Sequence, residues 1–444
     1  MPEINNLDHF VKWFRYSSPY INAHQGKTFV ILFDGEAVAD DGFAHLIHDF
    51  ALLNSLGIKL VLIHGARPQI EAQLALSGQK SHISNNIRIT DEASMKCVKQ
   101  AVGSVKIEIE SMLSMGVINS PMAGAKLKVV SGNFITAKPQ GVVNGTDYCF
   151  TGEVRKIDTS TIQKQLADGS IVLLSPIGYS PTGEAFNLTA EDVAVQTAIS
   201  INADKFIFLT DNAEFSDTSG KKLRQITLAE GKTYLNEHSQ LPEEERHNLA
   251  CSLEMMSKGI QRVHLLDRKI EGALLLELFS RDGIGTLITT NNYDTIREAS
   301  IDDIGGILEL IVPLENKGIL VRRSREQLEI NISQFTVMER DGMIIGCAAL
   351  HYYKEDHVAE VSCLAVHPDY RNEKRGETLL NIIEKQATKS NCTKLFALTV
   401  KTAHWFIENG FIETEINQLP MTKQSLYNFQ RNSKVFAKNI VTSQ

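Results

Sequence analysis

No Cys-x-x-Cys pair occurs among the six cysteines, which stand at positions 97, 149, 251, 347, 363 and 392. That scatter argues against a zinc site and a disulfide framework, and it fits a reducing compartment. Long lysine and arginine runs are also missing, and the formal net charge is −8. An acidic chain without a basic stripe gives no support to a nucleic-acid partner. The opening MPEINNLDHFVKWFRYSSPYI has no signal-peptide apolar core. No window approaches the roughly 18 uninterrupted apolar residues of a membrane span. The expectation is a cytoplasmic protein with no metal, no membrane segment and no nucleic acid.

What is present is ordinary for a globular chain: 43% apolar and 22% charged residues over 444 positions, enough for two or three domains. Residues 4–16 carry Ile4, Leu7, Phe10, Val11 and Phe14 at helical spacing, and Ser17-Ser18-Pro19 is expected to end that helix. From residue 28 the pattern becomes α/β. The run 29–33 is continuously apolar, as a strand buried on both faces would be. A helix over 42–56, a strand over 58–63 and a turn at 64–68 into another helix form a βαβ unit, hence a parallel sheet. Helices are expected near 91–115. Hairpins are expected over 126–152, with Gly132-Asn133 and Asn144-Gly145 as turn signals. Central strands are read at 171–175 and 205–210, with a helix over 191–201 between them. Residues 212–248 are polar and weakly patterned. A strand over 259–266, a helix over 271–279 and a strand over 284–289 complete one doubly wound, mainly parallel sheet within 1–290. A polar linker at 291–296 leads to a smaller α/β domain over 297–444.

The second domain is organised around 361–380, VSCLAVHPDYRNEKRGETLL. Its apolar run is broken by His367-Pro368-Asp369, and a helical pattern follows with Leu379, Leu380, Ile382 and Ile383. Strand, polar loop and helix place the unpaired N–H groups of a first helical turn where an anion can sit. Arg371 and Arg375 flank that turn with charge that suits phosphate, so the segment reads as a pyrophosphate cradle. It resembles the acyl-CoA-binding motif of the GNAT acetyltransferases, Arg/Gln-x-x-Gly-x-Gly/Ala. Arg371 and Gly376 match the first and last positions, and Lys374 stands where the first glycine is usual. The resemblance implies acetyl-CoA as co-substrate, held by Cys363, Leu364, Val366, Arg371, Arg375 and Gly376.

The first domain resembles the amino-acid kinase fold through HGARPQI (64–70), FNLTAEDV (186–193), FLTD (208–211) and HLLDRKIEGALLLELFSRDGIGT (264–286). Such kinases need a first-strand lysine and glycine-rich turns, because positive charge and open amides must both reach the transferring phosphoryl group. Leu32 falls at the lysine position, and Ala66 and Arg67 stand where glycines are usual. The kinase shape without phosphoryl transfer is therefore expected. In arginine-inhibited members of that fold, the end of the domain and an N-terminal helix form an arginine site. The resemblance implies Tyr20, His264, Glu277 and Gly283 for it. A carboxylate suits a guanidinium through a two-bonded fork. By residue pattern alone, Glu277 reads equally as a solvated helix residue and His264 as a satisfied strand end.

A kinase-like domain without kinase residues, fused to a GNAT domain, resembles the bacterial-type N-acetylglutamate synthase family. The resemblance implies transfer of acetyl from acetyl-CoA to the amino group of L-glutamate in arginine biosynthesis, feedback inhibition by L-arginine, and a homo-oligomer, a hexamer by analogy. A thioester needs no metal for activation, but the incoming ammonium must lose a proton, and Glu360 is the candidate base. Backbone N–H groups near Cys363 and Leu364 would meet the charge developing on the thioester oxygen. Tyr427 is the candidate acid for the departing thiolate. Arg322 and Arg431 are assigned to the two substrate carboxylates, with Arg323 left open. An arginine- and CoA-binding sensor without turnover, and an active kinase, remain as alternatives.

Overall fold

Strand β1 (Thr28–Phe33) lies in the middle of an eight-stranded sheet, and its side chains alternate between two cores. Phe29, Ile31 and Phe33 enter one and Val30 and Leu32 the other, as the two-residue period of a strand covered on both faces requires. The computed structural model describes residues 4–440, apart from 85–86, 116–121, 212–214, 217–219, 221, 239, 281, 291–293, 341 and 372–373. The chain divides into two units, Met1–Asn291 and Asn292–Gln444. No helix among the described residues is long and apolar enough to cross a membrane.

The other strands of this sheet are β2 (Lys59–His64), β3 (Val129–Val130), β4 (Ile171–Leu174), β5 (Lys205–Thr210), β6 (Gln225–Thr227), β7 (Arg262–Asp267) and β8 (Thr286–Thr289). Their order is β6-β8-β7-β5-β1-β2-β4-β3, parallel throughout except between β7 and β8. The sheet is not alone in its unit: strands from Ile135–Pro139, Gly152–Ile157, Ile177–Tyr179 and Ala185–Asn187 form a separate four-stranded sheet.

Three expectations are corrected here. Helix α1 runs Ile4–His24 with Pro19 inside it. Proline removes one backbone donor, but the last turn is tied to α2 (Ala273–Phe279): the Ser17 hydroxyl donates to Phe279 O and His24 Nε2 lies 2.8 Å from Leu278 O. Tertiary contacts outweigh the local break. Gly132-Asn133 turns no hairpin, because β3 and the strand at Ile135–Pro139 belong to different sheets. Asn144-Gly145 does turn one, with both residues at positive φ. The weakly patterned 212–248 contains β6 and the helix Leu228–Glu237, and the helix Glu243–Ser257 begins in it. The signal was there in Thr227 and Glu230, which form a capping box.

The second unit is one seven-stranded sheet: β9 (Asp294–Glu298), β10 (Phe335–Arg340), β11 (Met343–Tyr353), β12 (Val358–Val366), β13 (Lys394–Thr399), β14 (Ile412–Thr414) and β15 (Lys434–Asn439), ordered β9-β10-β11-β12-β13-β15-β14. Strand β9 begins at Asp294, inside the stretch expected as linker. All pairs are antiparallel except β12 with β13. Helix α3 (Ile304–Asn316) packs Ile307 and Ile311 on the face of Cys347, Ala349 and Cys363. Helix α4 (Arg375–Lys389) packs Leu380 and Ile383 on the opposite face, against Ala348, Leu350 and Val361.

Candidate active site

Two irregularities in β12 open the second sheet. The first is a bulge against β11: Cys347 pairs with Ala365 and Ala349 with Ser362, so Cys363 and Leu364 together face Ala348. Cys363 takes φ 52° to do so, a left-handed conformation unusual for a side-chain-bearing residue. The second is a split. Strands β12 and β13 pair only at Val358–Lys394, Ala359–Leu395 and Glu360–Phe396, although both run on to Val366 and Thr399. Beyond Glu360 the facing edge of β12 has no strand partner among the described residues, and its amides and carbonyls are available to an extended ligand.

The cradle follows β12. Lys374 is the N-cap of α4 at φ 56°, ψ 16°. The position asks for the backbone that glycine adopts without strain, and the lysine adopts it regardless. Gly376 lies in the first turn, where an added Cβ would come within 3.2 Å of Trp405. The Arg371 side chain is exposed and its Nε donates to Val366 O at 3.2 Å. Arg375 is a correction. Its guanidinium is buried, donates to Asp294 Oδ2 at 2.6 Å and to Tyr370 O at 3.2 Å, and lies over the Tyr370 ring. It fastens the loop to β9 and is not turned toward an anion, because a buried guanidinium must be paired.

Glu360 sits at the point of the split, 5% exposed. Its carboxylate receives the Lys423 ammonium at 2.7 Å and the Tyr353 hydroxyl at 3.3 Å. His351 is its register partner on β11, so both side chains point to one face. Burial lowers the His351 pKa; Glu360 opposes this, and Arg323 and Lys423 reinforce it. The Cys363 side chain is buried at 4% exposure among the residues under α3. Leu364 and Val366 are half-buried. Tyr427 packs with Phe396, the partner of Glu360, and its hydroxyl donates to Ser433 O at 2.6 Å. To protonate a thiolate it must give up that acceptor.

Of the three arginines, Arg322 is exposed and its guanidinium reaches Asn316 Oδ1 at 3.5 Å. Arg323 is half-buried and points to Ser362 Oγ on β12, at 3.4 Å. Arg431 donates to Ile319 O at 2.6 Å, and burial and the nearby Arg323 charge lower its pKa. Its Nε is buried with no hydrogen-bond partner among the described residues. The structure therefore brings Arg323 and Arg431 together and leaves Arg322 at the surface. Lys423, Tyr353 and His351 were not read from the sequence. Only the partnership of His351 with Glu360 had a signal, in the hairpin register.

In the first unit, His264 and Glu277 are both buried, so neither is solvated. His264 Nδ1 lies 2.6 Å from Glu277 Oε1, while Oε2 accepts from Ile284 N at 2.7 Å and Gly285 N at 2.9 Å. Burial by itself would raise the Glu277 pKa, but His264 and the two amides hold it down to about 2. Burial and the Lys205 charge lower the His264 pKa, and its bond to Glu277 opposes this. Gly283 has φ 57°, and a Cβ there would stand 2.4 Å from Glu277 Oε2. Tyr20 is half-buried against the same core as α2. At the first-strand lysine position, Leu32 is 6% exposed in an apolar core.

The model of the amino acid kinase family matches residues 27–267, and that of the acetyltransferase (GNAT) family matches residues 307–411. The amino-acid acetyltransferase of Vibrio atlanticus is 50% identical over 97% of this chain and 98% of its own length. That of Pseudomonas fluorescens is 48% identical over 97% of this chain and 100% of its own. A crystal structure of N-acetylglutamate synthase from Neisseria gonorrhoeae complexed with coenzyme A and L-arginine is similar with a TM-score of 0.87 and 36% identity, covering 97% of this chain and 99% of that one. The same enzyme complexed with coenzyme A and N-acetyl-glutamate gives a TM-score of 0.61.

Proposed function

The chain belongs to the amino-acid acetyltransferase family, and from that premise we propose that the split beside Glu360 is where acetyl-CoA and L-glutamate react. The observation that carries this reading is one open strand edge ending at a buried carboxylate, next to the N-terminus of α4. The amide-bearing arm of the co-substrate pairs with the edge of β12, and its pyrophosphate meets the first turn of α4 with Arg371. Leu364 N–H, turned by the bulge, faces the thioester oxygen.

In the reaction, the glutamate ammonium passes one proton to Glu360 and the freed amine attacks the thioester carbon. A C–N bond forms, the carbonyl oxygen gains charge that backbone amides stabilise, and the C–S bond breaks. The adduct's nitrogen sheds its second proton, the thiolate takes one up from Tyr427 or water, and the nitrogen's proton restores that donor, while the proton on Glu360 passes to solvent. The balance is N-acetylglutamate, CoA thiol and one proton. Burial of the Cys363 thiol supports direct attack over an acyl-cysteine route. The full chain with acetyl-CoA and L-glutamate is expected to release thiol, to require glutamate, and to slow on addition of L-arginine. No release, or release independent of glutamate, refutes the reading, and a trapped acyl-enzyme refutes direct attack.

Arg431 holds a substrate carboxylate, with Arg323 beside it as a second cation. Arg431→Ala is expected to raise KM for glutamate tenfold or more, about 1.4 kcal/mol, with KM for acetyl-CoA nearly unchanged. Unaltered glutamate kinetics would remove Arg431 from the substrate site. The effector L-arginine is assigned to Glu277, His264, Gly283 and Tyr20. The exposed Phe10, Trp13, Phe14 and Tyr16 of α1 support self-association of the chain. Sedimentation is expected to show an oligomer, and a monomer at micromolar concentration contradicts it.

A further inference from the structure

A base that must take a proton from an ammonium is already bonded to one. Lys423 Nζ lies 2.7 Å from the Glu360 carboxylate, and Glu360 itself is nearly inaccessible. The groups facing that carboxylate are Lys423 from α5 (Met421–Ser425), Tyr353 and His351 from β11, and the charge of Arg323 close by. A buried carboxylate left unpaired in the free enzyme would be strongly destabilising, so a resting partner is required. That same partner blocks the base until it leaves.

We infer that Lys423 is a placeholder for the substrate: the glutamate α-ammonium displaces the lysine ammonium from Glu360, and Lys423 turns onto one of the substrate carboxylates. This rests on the reading of Glu360 as the base. The exchange replaces one ammonium–carboxylate pair with another of the same chemistry, so the change at Glu360 itself is close to neutral, and the new pair with the substrate favours binding. The charges agree. The free site holds Arg323, Arg431 and Lys423 with the carboxylates of Glu360 and of Glu315, which accepts from Arg323 N at 3.0 Å. The substrate brings two carboxylates and one ammonium, and after the exchange cations and carboxylates are equal in number. The position agrees as well. Lys423 and Arg431 both come from the segment between β14 and β15, and the Lys423 side chain is 22% exposed, with room to move. An amine lacking carboxylates could displace the lysine but would leave it without a new partner. Lys423 thereby becomes a specificity-determining residue for dicarboxylic substrates.

The test pairs Lys423→Met and Lys423→Arg in the full chain with three amino donors: glutamate, glutamine and the α-amide of glutamate. The unaltered enzyme is expected to favour glutamate over both amides. Lys423→Met is expected to reduce kcat/KM for glutamate at least tenfold while leaving one of the two amides within threefold, so that discrimination against that amide collapses. Lys423→Arg is expected to recover at least part of it. A merely structural lysine would lower all three donors together, and that outcome overturns the inference, as does discrimination unchanged by Lys423→Met. Failure of the base reading shows separately, as full turnover by Glu360→Gln.

Discussion

Glu360→Gln is expected to reduce kcat by about 10²–10⁴-fold, or roughly 3–5 kcal/mol of barrier, with little change in KM for acetyl-CoA. Glutamine keeps the shape of the side chain, and its one amide oxygen can still accept from Lys423 and Tyr353, although its NH₂ then replaces an oxygen that now also lies 2.7 Å from the Lys423 ammonium. The strand pairing of Glu360 with Phe396 is made by backbone and is unaffected. What is lost is the capacity to take a proton. The residual rate should therefore climb with pH, as free amine forms in solution and no longer needs a base in the site. Initial-rate thiol release across a pH series measures both effects. A loss smaller than tenfold, or a residual rate that does not rise with pH, sinks the assignment and shifts attention to His351 beside it, whose pKa burial lowers.

The second large effect lies in the first unit. Glu277→Gln is expected to raise the L-arginine concentration for half-inhibition by about 10–100-fold, while uninhibited turnover stays within threefold. The ionised carboxylate has about four acceptor positions, and three are occupied by His264 Nδ1, Ile284 N and Gly285 N. One remains, on Oε1, for a guanidinium N–H. A hydrogen bond to a charged group contributes about 1.5–3 kcal/mol, which sets the size of the shift. The neutral amide still accepts from the two backbone N–H groups through its oxygen, and its NH₂ can face a His264 that changes tautomer. The loop at 283–285 is therefore expected to keep its form. Arginine titrations of thiol release decide the matter: identical inhibition curves would mean that the effector binds elsewhere.

Most of the first unit was legible because its signals are local. The apolar run at 29–33, the helix after Gly42 and the Asn144-Gly145 turn each depend on residues within one element. The reading failed where a distant contact overruled a local rule. Pro19 does not stop α1, because Ser17 and His24 are bonded to α2 far along the chain. Arg375 does not face the phosphate cradle, because Asp294 and Tyr370 claim it. Arg323, rather than the expected Arg322, turns toward β12, through its approach to Ser362.

The sequence by itself determined two α/β domains, a strand–loop–helix that suits an anion and the absence of a first-strand lysine, since periodicity, turn chemistry and motif spacing are properties of neighbouring residues. Only the tertiary structure decided where β12 and β13 part, which arginines converge, and that Glu360 rests on Lys423. Those depend on strand register and on side chains meeting across long stretches of chain, where no short-range pattern records which partner a buried charge will find.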